Sequence, residues 1–340
     1  MKTRMENLFD RFPKPSVAQR GLETTRSRLC WATALLGMAA FGADPLHPGY
    51  PSAPVSVFIV AGQSNTKGSG ETLKVLDYQA FSNLSEMQNR IRVREGPTMT
   101  DLSKLHPWIS GDQLLKKNSF GPEVGIAASL KNIPGDILIL KYAVDGSALA
   151  HHLKDIPSWP VWGQRGDSRT HEPIHSIYDQ MINALRSAFP QGSYPGREVT
   201  VRAFFWMQGE TDAAAERTAQ LYFSNLTRLI RNLHEDLSFP IRFPATSPFI
   251  IGKVSRKPWR FSRIVREAED RAQHSPRFPV FTVETDDLPK VSDGVHYDYR
   301  GLLMMGYRMG KKYLSTLPNP IGWPENLRAD CIRIGLPLEP

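Results

Sequence analysis

Apolar runs of strand length alternate with longer amphipathic segments from residue 55 onward. The first run, residues 55–60 (VSVFIV), ends shortly before Gly62. Short apolar runs that are rich in β-branched and aromatic residues and are bounded by turn residues predict buried strands. Later runs with these properties predict four more strands, at residues 136–142, 199–206, 249–251 and 279–283.

The segments between these runs have helical periodicity. In residues 213–237 the apolar side chains recur at intervals of three and four, which defines one buried helical face: Tyr222, Leu226, Leu229, Ile230, Leu233 and Leu237. Asp212 precedes this segment and is predicted to be its N-cap. Further helices are predicted at residues 123–131, 175–189, 262–273 and 299–317. Because strands alternate with helices, the sequence predicts an α/β fold with a central parallel sheet covered on both faces.

The first 43 residues have the pattern of a leader segment. An apolar stretch at residues 29–41 follows Arg26 and Arg28 and precedes small residues, which is typical of a secretory signal with cleavage before Ala43. An uncleaved anchor, or a helix packed on the domain, is the alternative. We therefore expect a signal segment at 1–43, a catalytic domain at 44–317 and a Pro-rich tail at 318–340, in a secreted or periplasmic protein.

Composition narrows the possible functions. The 340-residue chain carries a formal net charge of +8, but residues 1–42 hold seven Lys/Arg against three Asp/Glu, which is half of that excess. The remainder has no concentrated basic stripe, so a nucleic-acid partner is not expected. After the N-terminus no apolar run is long enough to span a bilayer. The only cysteines, Cys30 and Cys331, give no spacing typical of a metal site, and we expect no metal.

Residues 64, 293 and 296 supply the groups of hydrolytic serine chemistry. Ser64 follows the first predicted strand, and the carboxyl edge of a parallel sheet is where open α/β folds build active sites. Asp293 precedes His296 by three residues, so a turn can fold the carboxylate onto Nδ1 and leave Nε2 facing outward. Such a pair would take the hydroxyl proton of a serine nucleophile.

Three further residues are candidates for stabilising charge at this site. The Gln208 side-chain amide follows another predicted strand and can donate to an oxyanion. Gly121 precedes Pro122 at a predicted helix start, where a backbone N–H can do the same. Glu210 lies two residues after Gln208, where a charged side chain with a purely structural role would be unusual.

These motifs together resemble the SGNH-hydrolase superfamily, and within it the branch of sialate O-acetylesterases and acetylxylan esterases, carbohydrate esterase family six. The resemblance covers about residues 55–315 and rests on GQSN, Gly-Pro, WxQGExD and DGVH in the family's order. It implies a three-layer α/β/α flavodoxin-like domain that works without metal or cofactor.

The resemblance also implies roles for individual residues. Ser64 would be the nucleophile and His296 the general base. Asp293 would orient the histidine, with Glu210 as its rival or supplement. The oxyanion hole would be formed by the Ser64 N–H together with two more donors, from Gly121 and Gln208.

Several residues are predicted to contact substrate. Gln63 and Asn65 flank the nucleophile. Trp159 and Trp162 lie in the long connection at residues 143–171, where aromatic rings suit sugars, although a tryptophan that pins its own loop is an equally good interpretation. Asp145 replaces a family glycine and places a negative charge near the pocket, which disfavours an anionic substrate such as a sialic acid.

The predicted function is that of an exported carbohydrate O-acetylesterase with an acetylated glycan or sugar as substrate. The alternatives are an esterase or thioesterase for other acyl chains, and a non-catalytic sugar-binding module on the same scaffold. The sequence makes no prediction about the oligomeric state.

Overall fold

The computed structural model of the chain describes residues 55–68, 91–95, 120–150, 160–163, 176–189, 198–237 and 241–318. The predicted leader at 1–43, Trp159 and nearly all of the predicted tail lie outside the described residues, and these interpretations stay predictions.

Within the described residues, six strands form one parallel sheet in the order β2-β3-β1-β4-β5-β6. Their bounds are Val55–Gly62 (β1), Ile91–Glu95 (β2), Asp136–Ala143 (β3), Val199–Met207 (β4), Phe249–Gly252 (β5) and Val280–Val283 (β6). Without β2 the remaining order is that of flavodoxin-like folds. The five strands predicted from the sequence are all present. The edge strand β2 was not predicted, because charged residues fill three of the five positions in IRVRE.

The helices of the described part are α1 (Ser64–Lys67), α2 (Glu123–Leu130), α3 (Ile177–Ala188), α4 (Glu216–Asp236), α5 (Ser262–Ala272) and α6 (Tyr299–Ser315). None of them is long and apolar enough to cross a membrane. The predicted cap of α4 is wrong: Asp212 begins a separate 3-10 turn, Asp212–Ala214, and Ala215 is the residue at the N-cap of α4.

The sheet separates two apolar cores, as a three-layer fold requires. Alternate residues of β1 face opposite sides, so Val57 and Ile59 pack with α3, α4 and α5, whereas Phe58 and Val60 pack with α2 and α6. All eight residues of β1 are buried, which explains why this strand reads as a continuous apolar run.

The carboxyl end of β1 lies between those of its two neighbours. Gly62 pairs in register with Ala143 of β3 and with Met207 of β4. The turns that leave these three strands therefore meet at one edge of the sheet, and they carry Ser64, Asp145 and Gln208.

Candidate active site

A sharp turn between β1 and α1 positions Ser64. Gly62 has a φ of 151°, and a Cβ at this position would lie 1.9 Å from the carbonyl oxygen of Met207. Only glycine fits here. Gln63 then donates its N–H to the same Met207 carbonyl at 3.1 Å, and Ser64 begins the helical turn with 6% of its surface exposed.

A second turn joins Asp293 to His296. Asp293 Oδ1 accepts the N–H groups of Val295 and His296 at 2.8 and 2.9 Å, and Gly294 supplies the positive φ of 69° that the turn needs. The other carboxylate oxygen, Oδ2, lies 2.7 Å from His296 Nδ1. The Asp-Gly pair in DGVH therefore folds the carboxylate back onto the imidazole.

The two turns meet, and His296 Nε2 lies 2.9 Å from Ser64 Oγ. Burial acts to raise the pKa of Asp293, but the hydrogen bonds from His296 and Val295 outweigh it and hold that pKa below its usual value. A carboxylate only accepts hydrogen bonds, so the imidazole proton lies on Nδ1 and Nε2 is the acceptor. In this geometry His296 Nε2 can accept the proton of Ser64 Oγ.

Glu210 does not hydrogen-bond to His296. Its Oε1 accepts from Asn65 Nδ2 at 2.6 Å, while Oε2 is buried and without a hydrogen-bond partner in the described part of the chain. Burial raises the pKa of Glu210, against the opposing effects of the Asn65 hydrogen bond and the charge of His296. The sequence left open whether Asp293 or Glu210 is the partner of His296, and in the structure Asp293 is the carboxylate that contacts the imidazole.

The two residues that flank Ser64, Asn65 and Gln63, are both buried. Asn65 is 1% exposed, its Nδ2 donates to Glu210 and Val295, and its Oδ1 accepts the N–H of Tyr297. Gln63 is 3% exposed, and its Oε1 faces Gln208 Nε2. The prediction that Asn65 binds substrate is wrong, because both of its polar atoms are used inside the protein. For Gln63 the internal contacts involve Oε1 alone, and its substrate role stays a prediction.

The Gln208 amide is also committed to internal partners. Its Nε2 donates to Asp212 Oδ2 at 2.7 Å and to the Ser147 carbonyl at 2.9 Å, with Gln63 Oε1 at 3.3 Å. An amide nitrogen has two hydrogens, so none remains for an oxyanion on Ser64. Gln208 thus joins the turns after β1, β3 and β4, and its role as an oxyanion donor, which would require one of these hydrogen bonds to open, stays a prediction.

Asp212 is the residue that sequence reasoning placed on the wrong element. Its carboxylate is fully buried and accepts the N–H groups of Leu149 and Ala150, at 2.8 and 3.1 Å, besides the Gln208 amide. Burial raises its pKa to about 6, although these three hydrogen bonds oppose the shift. Asp212 follows Gln208 by four residues in WMQGETD, and this short separation is the sequence signal of their contact.

A buried ion pair lies behind Gly121. The Gly121 N–H donates to Glu123 Oε1 at 3.0 Å, and the same oxygen accepts from Lys141 Nζ at 2.9 Å. The Gly121 N–H is therefore engaged by Glu123, and its role as an oxyanion donor stays a prediction. A Cβ on Gly121 would lie 2.1 Å from the Thr66 carbonyl oxygen, so glycine permits α2 to approach the nucleophile turn. Lys141, a charge within the apolar run DILILKY, was the overlooked signal.

Trp162 belongs to the core. It is fully buried, its ring lies 4.8 Å from that of Trp206, and its Nε1 donates to Ser147 Oγ at 3.0 Å. A ring enclosed in this way cannot stack on a sugar, so the predicted substrate role of Trp162 is wrong and the alternative, a tryptophan that pins its own loop, is correct.

Asp145 lies on the surface and pairs with Lys67. Each side chain is 47% exposed, and Lys67 is the last residue of the turn that begins with Ser64. The predicted negative charge near the site is therefore accompanied by a positive one. Thr66 donates from its hydroxyl to the Met207 carbonyl at 2.8 Å and is fully buried.

Within the described residues, no group of three or more His, Cys, Asp and Glu side chains is arranged to hold a metal ion. The side chains that meet at Ser64 are those of a proton relay.

Comparisons with known proteins agree on one family. Residues 54–315 match the sequence model of the family described as carbohydrate esterase, sialic acid-specific acetylesterase. A probable carbohydrate esterase of Arabidopsis thaliana is 25% identical over 280 residues, covering 78% of this chain and 93% of the relative.

Solved structures show the same fold. An Arabidopsis thaliana structure gives a TM-score of 0.52 at 23% identity, over 77% of this chain and 98% of that one. The structure of NanS gives 0.51 at 14% identity, over 77% and 97%. A carbohydrate acetylesterase from Xanthomonas citri gives 0.51 at 18% identity, over 75% and 55%. At these identities the likeness supports the flavodoxin-like architecture alone.

Proposed function

Because this chain belongs to the carbohydrate esterase family of sialic acid-specific acetylesterases, we propose that it hydrolyses acetyl esters of sugars with Ser64 as the nucleophile. The observation that carries the proposal is the unbroken chain of contacts from Asp293 Oδ2 to His296 Nδ1, at 2.7 Å, and from His296 Nε2 to Ser64 Oγ, at 2.9 Å. Three groups in this order are the arrangement that activates a serine hydroxyl.

In the first half of the reaction Ser64 is acylated. His296 Nε2 takes the proton of Ser64 Oγ as that oxygen attacks the acetyl carbonyl carbon. The tetrahedral intermediate collapses when the bond to the sugar oxygen breaks, and His296 gives its proton to that oxygen, so the sugar leaves as an alcohol. Asp293 stabilises the imidazolium while it lasts.

In the second half water releases the acetyl group. His296 Nε2 takes a proton from water, whose oxygen attacks the acetyl carbon on Ser64. The ester bond to Ser64 Oγ breaks, the imidazolium returns its proton to Oγ, and acetic acid leaves and gives its remaining acidic proton to water.

The negative oxygen of each tetrahedral intermediate needs hydrogen-bond donors. The Ser64 N–H is the first amide of a helical turn and has no acceptor within that turn. Gly121 becomes a second donor if its N–H exchanges Glu123 for the oxyanion. In this mechanism Gln208 contributes by holding the surrounding turns, since its own hydrogens are engaged by Ser147 and Asp212.

We further propose that the protein is exported and acts on an acetylated glycan outside the cytoplasm. The support for export is the apolar stretch at residues 29–41 with its basic flank. The support for the substrate class is the description of the family, carbohydrate esterase.

The test is hydrolysis of 4-nitrophenyl acetate by the wild type, Ser64→Ala and a matched control, Ser129→Ala. Ser129 is also buried, but its hydroxyl donates to the Gly125 carbonyl within α2. We expect Ser64→Ala to lose at least about 10³-fold in kcat/KM and the control to stay near wild type. Equal activity of wild type and Ser64→Ala would exclude the mechanism.

Three more measurements separate the alternatives. A fluorophosphonate probe should label the wild type and not Ser64→Ala, whereas a non-catalytic sugar-binding module would remain unlabelled. Acetate should be released from acetylated glycans, and 4-nitrophenyl butyrate should react more slowly than the acetate ester. A preference for the longer chain would favour a general esterase instead.

A further inference from the structure

We propose that Asn65 is a positioning residue that fixes the general base against the nucleophile, an inference that rests on the proposed function. Asn65 directly follows Ser64, and its carboxamide bonds to the backbone on both sides of His296. Its Oδ1 accepts the N–H of Tyr297 at 3.1 Å, and its Nδ2 donates to the carbonyl of Val295 at 3.3 Å. One side chain thus joins two turns that lie 232 residues apart in the sequence.

The hydrogen bonds of Asn65 fix a distance that Asp293 does not control, the distance between the turn of His296 and Ser64. Asp293 belongs to the same turn as His296, so it orients the imidazole within that turn. The distance between that turn and Ser64 depends on contacts between the two segments. Asn65 makes such a contact from the residue adjacent to the nucleophile, and an error of about 1 Å in this distance can cost about 100-fold in rate.

Glu210 holds the carboxamide of Asn65 in place. Its Oε1 lies 2.6 Å from Asn65 Nδ2, and both residues are buried, with 2% and 1% of their surfaces exposed. The orientation of the amide is unambiguous, because Glu210 faces the nitrogen and the Tyr297 N–H faces the oxygen. Glu210 therefore supports His296 indirectly, through Asn65, although it makes no hydrogen bond to the imidazole.

The far end of Tyr297 is anchored as well. Its hydroxyl lies 2.7 Å from Ser255 Oγ and donates to Thr285 Oγ1 at 2.9 Å, and the residue is fully buried. The backbone after His296 is thus fixed to the turn after β5 and to the segment after β6, and Asn65 connects this fixed backbone to Ser64. Removal of Asn65 would leave the Tyr297 N–H and Glu210 Oε1 without these partners inside the protein.

The first test compares Asn65→Ala with Thr66→Val. Thr66 is the next residue of α1, equally buried, and its hydroxyl bonds to the carbonyl of Met207 and not to the histidine turn. Both variants lose buried hydrogen bonds, but we expect about a 100-fold lower kcat on 4-nitrophenyl acetate for Asn65→Ala, with KM changed less than about threefold, and a much smaller loss for Thr66→Val. Thermal unfolding curves check that each variant is folded at the assay temperature. Equal kcat losses would overturn the proposal, since they would indicate general weakening of α1.

The second test exchanges donor and acceptor. Asn65→Asp alone places a carboxylate against Glu210 and should lower kcat at least as much as Asn65→Ala. Adding Glu210→Gln restores a donor–acceptor pair and the original total charge, so we expect the double variant to recover about tenfold over Asn65→Asp. Recovery should be partial, because the Val295 carbonyl then faces a carboxylate. A double variant no more active than Asn65→Asp would contradict the direct bond.

A measurement without turnover separates this inference from the proposed function. The ¹⁵N resonance of His296 Nε2 reports its contact with Ser64 Oγ, and it should shift in Asn65→Ala and stay near its wild-type position in Thr66→Val. If the wild type hydrolyses no ester and takes no fluorophosphonate, the proposed function fails, while the resonance still tests the positioning. An unchanged resonance in Asn65→Ala would overturn the inference even in an active enzyme.

Discussion

Asp293 Oδ2 and His296 Nδ1 lie 2.7 Å apart within one tight turn, so the partner of the histidine is chosen by local geometry. Glu210, the other carboxylate near the site, makes no hydrogen bond to the imidazole and interacts with it directly through charge alone. Its Oε1 accepts a hydrogen bond from Asn65 instead. Neutralising Asp293 and neutralising Glu210 should therefore lower kcat by different amounts and for different reasons.

Asp293→Asn should lower kcat on 4-nitrophenyl acetate more than Glu210→Gln does. The asparagine can present an N–H to Nδ1, which would favour the tautomer with its proton on Nε2 and block proton transfer from Ser64. We expect a loss of about 10²–10⁴-fold for Asp293→Asn and about tenfold for Glu210→Gln, measured as kcat at saturating substrate. A larger loss for Glu210→Gln would mean that the histidine turn rearranges during the reaction.

Trp162→Ala should cost stability and not substrate affinity. Trp162 packs against Trp206 and Tyr142 in the core, and truncation of a buried aromatic residue typically costs about 3–5 kcal/mol. Urea unfolding should show this loss, while the milder Trp162→Phe keeps KM for an acetylated glycan within about twofold of wild type. A Trp162→Phe variant with full stability and a strongly raised KM would instead assign the ring to substrate binding.

The fold was largely predictable because its central strands, such as β1 and β5, are buried on both faces. Runs such as residues 199–206 are apolar at nearly every position, and turn residues mark their ends, so each predicted strand is found within a residue or two of its bounds. Edge strand β2 lacked this signal. The break before α4 was missed because Asp212 looks like an N-cap in sequence, while its carboxylate is used by the amides of Leu149 and Ala150, over 60 residues earlier in the chain.

The relay was predictable and the surrounding hydrogen bonds were not. Asp293 and His296 are close in sequence, so their contact is local. Ser64 closely follows strand β1, which places it at the carboxyl edge of the sheet. The partners of Asn65, Gln63 and Gln208 depend on which turns meet across the sheet edge. Each of these amides can serve a substrate or the protein, and only the distances to buried acceptors decide between the two.

The Lys67–Asp145 pair should set the preference between neutral and acidic sugars. Lys67 is three residues after Ser64, so both lie on one side of the same helical turn. Asp145→Ala removes the carboxylate that faces Lys67, and an acetylated sugar acid should then bind better relative to a neutral acetylated sugar, by about 3–10-fold in kcat/KM at low salt.

The matching variant Lys67→Ala should shift this preference in the opposite direction. Salt at about 0.5 M should reduce both effects, because both side chains are half exposed to solvent. Unfolding free energies should change by less than about 1 kcal/mol in either variant, as is usual for an exposed ion pair. Unchanged selectivity in both variants would place the pair outside the path of the substrate.

Asp212 should make the protein less stable as the pH rises from 5 to 7. Burial raises its pKa in the folded state to about 6 from the ordinary value of 3.8, so the folded state holds the proton more tightly than the unfolded state. The stabilisation is therefore complete below the unfolded pKa and is lost as the pH rises through 6.

Asp212→Asn removes this titration, although it lowers stability at every pH because the buried amides lose an acceptor. Urea unfolding at both pH values should show that the wild type loses about 1 kcal/mol more than the variant between pH 5 and pH 7. Equal pH dependence in the two proteins would mean that Asp212 stays ionised in the fold throughout this range, held by Leu149, Ala150 and Gln208.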